Sequence, residues 1–267
     1  MFNVYSKENQ NFYLNNSLIS GVQNVGFSYQ NDTRLSLSVG SPDFNYFSAK
    51  PIVANLELTY LLSSSDDFIK YTGSSSFFGK VEYGNNFFTF SSGYLTNYSL
   101  NYKLGEYPSV SIQSLIFGEL GSTSGNFSYS PKVLNNFNIG DPCYVQLNLI
   151  ESNLNRLESF DISMSVPREP VYTIGNYLPE DVIIKYPINI NLNFSFSMSE
   201  YSQEKVTNIF TGITQRDLNL SFKKYQSNED LLILNLSNLV NADTKISYSL
   251  DDAKLNLSFN TYILSGV

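Results

Sequence analysis

The sequence predicts an all-β fold of two tandem, similar β-sandwich or barrel domains, each with a short flanking helix. The first observation behind this prediction is the stretch YPININLNFSFSMSE at 186–200, in which apolar and polar residues alternate without interruption. A period of two is typical of a strand with one buried and one solvent-facing side. The second is a similar stretch at 50–64, KPIVANLELTYLLSS, and the third is a similar order of elements around both stretches.

The two stretches align when Pro51 is placed on Pro187, an offset of 136 residues, and the flanking segments align at nearby offsets. The aligned pairs include Leu56 with Leu192, Leu58 with Phe194, Arg34 with Arg168, Leu100 with Ile246 and Ile112 with Leu257. A fixed internal period indicates that one structural unit occurs twice. Two unrelated β domains with similar alternation would give a comparable pattern, and the sequence leaves that alternative open.

Taken in order, each domain is a series of alternating segments separated by residues that favour turns. In the first domain we predict strands at 22–29, 34–39, 52–62, 77–83, 86–91, 97–104 and 109–117. In the second domain we predict strands at 158–165, 171–174, 182–186, 188–198, 217–224, 230–236, 244–250 and 254–263. Segments 64–73 and 199–212 begin with Ser and acidic residues and end at Gly, which predicts one short helix in each domain.

Composition divides the chain into four parts. Residues 1–20 are predicted to be an N-terminal arm, and 21–118 the first β domain. Gly, Ser and Asn dominate the first half of 119–156, as in a flexible connection, so this part is predicted to be a linker or insertion. Within it, 143–150 is a further candidate strand. The second β domain is predicted to span 157–267.

The residue types that carry most catalysis are missing from the sequence. The chain has no His, a single Cys, Cys143, and no glycine-rich phosphate-binding motif. This argues against Ser-His-Asp and Cys-His catalysis and against the common zinc sites. Pairs of adjacent carboxylates such as Asp66 and Asp67 fall at predicted turns or helix starts, where acids stabilise the local backbone. We therefore predict that the protein is not an enzyme and takes no metal or cofactor.

Charge bears on partners. The net charge is −8 and no basic run occurs, which argues against ordinary binding to a phosphate backbone. No stretch approaches 18 consecutive apolar residues, so no membrane-spanning helix is predicted.

Arg34 and Arg168 stand at matching positions in a chain with few arginines, and we predict that they form intersubunit ion pairs. A buried polar bond and a plain surface charge are the alternatives for both.

Three segments carry a resemblance to a known family. After a short N-terminal arm, ISGVQNVGFSYQNDTRLSLSVG (19–40), KPIVANLELTYLL (50–62) and DDFIKYTG (66–73) resemble tail and tail-tube proteins of tailed bacteriophages. The resemblance covers the first half of the chain best and reaches the second half through the repeat. It implies a β subunit with a flanking helix, six of which form a ring around a tunnel for DNA, with rings stacked into a tube.

For a duplicated member, the resemblance implies trimers with pseudo-sixfold symmetry in the virion tail, assembled in the host cytoplasm. Its partners are then other copies of itself, other tail proteins, and DNA that passes through without specific binding. Net negative charge would keep DNA from adhering to the wall. The predicted lumen-facing residues are polar positions on the two long strands, namely Asn189, Asn191, Asn193, Ser195, Glu57 and Thr59.

Two other functions stay open at this point. A tail-tip hub or distal tail protein is built in the same way, and the number of rings in a particle separates it from a tube protein. The Tyr-rich stretch at 87–102 would also suit sugar stacking in a carbohydrate-binding β-sandwich adhesin. A monomer that binds glycans would indicate that function.

Overall fold

The structure is a computed structural model that describes residues 10–30, 33–37, 44–48, 53–83, 86–121, 143–147, 157–174, 176, 178–197, 216–224, 227–248 and 253–263. Most of these residues lie in β-strands, and the strand pairings between them are antiparallel. The predicted all-β class is therefore confirmed.

The strands fall into two series along the chain. The first series is β1 (Gln10–Leu14), β2 (Ser17–Ile19), β3 (Val22–Gln30), β4 (Thr33–Leu37), β5 (Phe44–Ser48), β6 (Val53–Leu61), β7 (Phe77–Tyr83), β8 (Asn86–Lys103) and β9 (Ser109–Gly121). The second series is β10 (Cys143–Leu147), β11 (Leu157–Ser165), β12 (Arg168–Val171), β13 (Asp181–Ile184), β14 (Ile188–Ser197), β15 (Arg216–Lys224), β16 (Asp230–Tyr248) and β17 (Ala253–Ile263).

The predicted strands overlap observed strands throughout, but two predicted breaks are wrong. The strands predicted at 86–91 and 97–104 are one continuous strand, β8, and those predicted at 230–236 and 244–250 are one strand, β16. Ser, Gly and Asn occur between the predicted pairs. In the structure, β-bulges carry both strands through these residues.

Part of the predicted N-terminal arm belongs to the sheet. Residues 10–19 form the hairpin β1–β2, and β1 also pairs with β7. Asn15 and Asn16 occupy the turn with φ of 46° and 67°, the left-handed conformation that a two-residue hairpin turn requires. In the predicted linker, β10 pairs with β15, and the rest of that segment beyond Gly121 lies outside the described residues.

The helix predicted at 64–73 is wrong except for one turn. Only Ile69–Thr72 is helical, as a 3-10 turn, and Gly73 follows it in an extended conformation. The residues around it instead place aromatic side chains in the core, where Phe68 lies 5.6 Å from Phe77, measured between ring centroids. The helix predicted at 199–212 lies outside the described residues.

The two series pair in the same order. In the first, neighbouring strands run β3–β6–β9–β8–β7–β1, and in the second they run β11–β14–β17–β16–β15–β10. Each series also has a separate two-stranded hairpin between its first two long strands, β4–β5 in one and β12–β13 in the other. The correspondence therefore extends over every strand except β2.

Three irregularities of the two series correspond. Bulges interrupt the register in the pairings β3–β6 and β11–β14, β8–β9 and β16–β17, and β7–β8 and β15–β16. The matching positions are Val22/Asn24 with Leu157/Ser159, Leu95/Asn97 with Asn241/Asp243, and Phe77/Gly79 with Arg216/Leu218. Two other register shifts, at Phe90/Ser92 in β8–β9 and at Phe222/Lys223 in β15–β16, have no counterpart among the described pairings. A bulge bends and twists its strand locally, so the two series share three local distortions as well as their strand order.

One strand pairing joins the two series. The second half of β8, 97–103, pairs with β11 along 159–165, and we call this pairing the internal joint. Within a sheet of 13 strands, it makes a continuous run of eight, in the order β3–β6–β9–β8–β11–β14–β17–β16. We call this the eight-stranded sheet.

The core lies on one side of the eight-stranded sheet and continues across the internal joint. Alternation buries every second side chain, including Leu56, Leu58 and Tyr60 on β6 and Ile190, Leu192, Phe194 and Phe196 on β14. Burial of each Leu or Phe side chain contributes about 1.5–3 kcal/mol to the free energy of unfolding. Tyr102 of β8 lies 5.6 Å from Phe160 and 5.1 Å from Phe222, between ring centroids, so an aromatic residue of the first series packs among those of the second.

Candidate functional site: the polar face and the internal joint

The residues predicted to face a lumen lie on the side of the eight-stranded sheet opposite the core. Glu57 on β6 is exposed, and so are Asn189, Asn191 and Asn193 on β14. Thr59 and Ser195 are half-buried on the same two strands. They alternate with the buried core residues, as the period of two requires.

Strand register places the two predicted groups on one surface. Residues directly opposite each other in antiparallel strands project from the same face of the sheet. One row of opposed residues crosses the sheet from β6 to β17 as Thr59, Ser111, Ser99, Ser163, Asn191 and Asn260. We call the surface that contains this row the polar face. It continues across the internal joint with polar residues on both sides.

Side-chain hydrogen bonds link neighbouring strands of the polar face. The Asn97 amide donates to Gln113 Oε1 at 2.9 Å, and the Gln113 amide donates to Glu57 Oε1 at 3.4 Å. On the other series, the Ser258 hydroxyl donates to Asn193 Oδ1 at 2.6 Å. Such bonds order a surface of amides and hydroxyls, and these groups carry no charge with which to hold a phosphate.

One acidic residue of the polar face is partly buried. Asp161 on β11 lies opposite Asn101 and Asn193, and partial burial raises the pKa of its carboxyl. Among the described residues, no three His, Cys, Asp or Glu side chains come together as they would around a metal ion.

Arg168 lies at the edge of the internal joint and bonds within its own chain. Its guanidinium donates to the carbonyls of Leu95 at 3.0 Å, Tyr71 at 2.9 Å and Gly73 at 2.6 Å. The guanidinium carbon lies 5.8 Å from the centroid of the Tyr94 ring. These contacts match the buried polar bond, one of the three roles that the sequence left open for this residue.

A β-bulge explains why a carbonyl is available to Arg168. The register of β8 against β9 shifts between Leu95 and Asn97, so the backbone there is not bonded regularly. Arg168 takes the carbonyl of Leu95, and the N–H of Val166 donates to the carbonyl of Thr96 at 2.7 Å. A bulge in β8 and an arginine at the start of β12 therefore fasten the internal joint together. Sequence spacing alone gave no sign of this contact.

Arg34, the sequence counterpart of Arg168, lies on β4 opposite Phe47. Its side chain is outside the described part of the structure. Its predicted intersubunit ion pair stays a prediction.

Asp66 is a buried polar residue that the sequence interpretation placed at a helix start. Its carboxylate accepts hydrogen bonds from the hydroxyls of Tyr60, at 2.7 Å, and Tyr98, and from the N–H of Phe68, at 2.8 Å. Its own N–H donates to the carbonyl of Leu231 at 2.9 Å. Burial raises the pKa of the Asp66 carboxyl, against the opposing effect of these hydrogen bonds. The segment after β6 is thereby attached to both strand series.

The hairpin β12–β13 and the residues around it expose an apolar surface. Its large exposed side chains are Val171, Tyr172, Ile174, Leu178, Ile183 and Tyr186. Exposed apolar patches typically mark contact sites for other molecules. This patch lies outside the polar face.

In the part of the chain that the structure describes, no helix has the length and apolar character needed to span a membrane. Comparison with known proteins adds no relative. No protein-family model matches this chain, and no curated protein matches it either.

Proposed function

We propose that the protein is a structural virion protein of the bacteriophage tail-tube type, forming stacked rings around a lumen that conducts DNA. The observation that carries the proposal is the repeated strand order, with β3–β6–β9–β8 joined edge to edge to β11–β14–β17–β16 in one chain. A unit that accepts an equivalent unit at its edge can repeat the contact until a ring closes. Closure would also cover strand edges that otherwise invite aggregation.

The repeated order supports a tandem duplication of one β unit. Sequence alignment and strand register agree. The alignment equates Phe27 with Ile162 and Leu56 with Leu192. In the structure Phe27 lies opposite Leu56, and Ile162 lies opposite Leu192. Independent all-β domains share alternation, but they have no reason to share strand order and bulge positions as well. Three duplicated chains would then give a ring with six similar units.

The dimensions of such a ring suit DNA. With neighbouring strands about 4.8 Å apart, three copies of the eight-stranded sheet have a circumference of at least about 115 Å and a backbone-to-backbone diameter of about 37 Å. Tilted strands would widen the ring further. This diameter exceeds the width of a DNA duplex.

The polar face has the chemistry of a lumen wall that does not retain DNA. Amides and hydroxyls make up most of it, beside charged residues of both signs such as Glu57, Asp161, Lys103 and Lys254, and the net charge of the chain is −8. A polyanion is weakly repelled by such a wall, because no row of cations replaces its counterions. The exposed apolar hairpin β12–β13 supports contact with further protein, as stacked rings or other tail proteins would provide. The protein would then reside in the virion tail after assembly in the host cytoplasm.

Electron microscopy of the purified protein tests the proposal. We expect negatively stained rings with sixfold-like projections, and stacks of rings at higher concentration. The number of rings in a particle separates a tube from a tail-tip hub or distal tail protein. A chain that stays monomeric at every concentration and binds glycans would replace the proposal with the carbohydrate-binding adhesin.

A further inference from the structure

Two strand edges of the eight-stranded sheet have no partner within the described residues. β3 pairs with β6 on one edge only. The second half of β16, 240–248, pairs with β17 on one edge only. Unpaired edges present backbone donors and acceptors that a further strand can satisfy.

The internal joint shows how these two edges fit each other. β11 pairs with β14 as β3 pairs with β6, and β8 pairs with β9 as β16 pairs with β17, with matching bulges in each case. The internal joint pairs β8 with β11. The counterpart of the internal joint would pair β16 with β3. The edges of both strands that this pairing needs are unpaired among the described residues.

We propose that β16 of one copy of this chain pairs antiparallel with β3 of a second copy, in the register of the internal joint. The inference rests on the proposed ring and names the surfaces through which it closes. The internal joint sets Ser163 opposite Ser99, Ile162 opposite Leu100, and Asp161 opposite Asn101. The corresponding pairs between copies are Ser28 with Lys245, Phe27 with Ile246, and Gly26 with Ser247.

The sequence pattern agrees with this register. Ser28 is exposed and lies opposite Asn55, whereas Phe27 packs against the core. Lys245 lies opposite Asn256, which in turn lies opposite Ser195 on the polar face. The register therefore joins polar position to polar position. A slip by one residue would set Lys245 against Phe27, on the apolar side of the sheet.

Arg34 would stabilise the pairing between β16 and β3 of two copies in the way that Arg168 stabilises the internal joint. The bulge at Leu95 leaves the carbonyl that Arg168 takes, and the matching bulge in β16 lies at Asn241. Arg34 occupies the position on β4 that corresponds to Arg168 on β12. Its guanidinium would donate to the carbonyl of Asn241 in the neighbouring copy. In this arrangement the arginine would act across chains through a backbone carbonyl.

Cysteine cross-linking tests the register. In a chain carrying Cys143→Ser, the pair Ser28→Cys and Lys245→Cys should yield interchain products with a short bis-maleimide, in a ladder that ends at the closed ring. Mixing the two single variants should yield dimers only. The matched control is Ser99→Cys with Ser163→Cys, opposed in the internal joint, which should cross-link within one chain and keep the monomer mass.

Arg34→Ala gives a second measurement that needs no cysteine. It should raise the concentration needed for ring assembly by at least about tenfold, while the monomer melts as the parent does. Rings without the Ser28–Lys245 cross-link would overturn the inference and leave the proposed function standing. Rings that assemble normally with Arg34→Ala would overturn the role of that arginine. Absence of both rings and cross-links would overturn the proposed function with the inference.

Discussion

Replacing Arg168 by alanine should destabilise the single chain, because this residue fastens the two strand series together. The substitution removes the donor for the carbonyls of Leu95 and Tyr71 beside the internal joint. The third carbonyl, that of Gly73, is exposed and can turn to water. Arg168→Lys should restore only part of the loss, since one ammonium group lacks the planar fork that reaches several carbonyls together.

The expected loss is about 2–4 kcal/mol. A hydrogen bond with a charged donor contributes about 1.5–3 kcal/mol, and two such bonds are partly buried. One guanidinium nitrogen, Nη1 of Arg168, is buried without a hydrogen-bond partner among the described residues, and that cost of about 1–3 kcal/mol offsets part of the gain. For a chain of 267 residues, the loss corresponds to a fall in Tm of roughly 5–10 °C.

Urea unfolding followed by tyrosine fluorescence measures the change, since the chain has 20 Tyr and no Trp. The protein should be kept dilute, so that assembly does not add stability. Glu180→Ala, at an exposed charged residue outside the internal joint, is the control, with an expected change within about 0.5 kcal/mol. If Arg168→Ala also changes the free energy of unfolding by less than that amount, the internal joint is not fastened in the way described.

Three further predictions concern burial, the polar face and close packing. Because the pKa of the buried Asp66 carboxyl is raised, its contribution to the free energy of unfolding is fully present below the pKa of the unfolded state. That contribution is lost as the pH rises through the pKa of the folded state. The free energy of unfolding of the parent relative to Asp66→Asn should therefore fall as the pH rises above the ordinary carboxyl pKa, and a difference that stays constant with pH would contradict a buried carboxyl with a raised pKa. The double substitution Asn191→Lys with Asn193→Lys should leave Tm nearly unchanged, as is usual at exposed positions, and should slow DNA passage through assembled tubes. A subunit that unfolds instead would show that this face is buried. Gly93→Ala would put a methyl group 2.8 Å from the Phe77 ring and should cost about 1–3 kcal/mol in urea unfolding, whereas unchanged stability would mean that the ring moves freely aside.

Local pattern was sufficient to predict most strands. β14 and β6 alternate along their whole length, and a period of two depends only on residues that are neighbours in sequence. The hairpin β1–β2 had a readable signal as well, since Asn15 and Asn16 between alternating residues favour a left-handed turn. Strands of five and three residues are too short for alternation alone to identify them.

Contacts between distant parts of the chain could not be predicted in the same way. The internal joint pairs residues such as Leu100 and Ile162, far apart in sequence, and its register depends on how two complete sheets fit. The helix at 64–73 failed for a related reason: Asp66 beside Asp67 is typical of an exposed helix start, whereas tertiary packing buries Asp66 under two tyrosine hydroxyls. Of the polar face, the sequence predicted the polar positions on β6 and β14, but not the strand register that places them on one surface of a single sheet.

The mass of the assembled particle tests the central claim most directly. Native mass spectrometry of the purified protein should show a closed ring of three chains of 30.1 kDa, about 90 kDa in total, and whole multiples of that mass for stacked rings. Closure at three chains is expected if each chain supplies two equivalent units to a ring of six. A single species of 30.1 kDa at all concentrations, or an open-ended series that adds one chain at a time, would contradict the account.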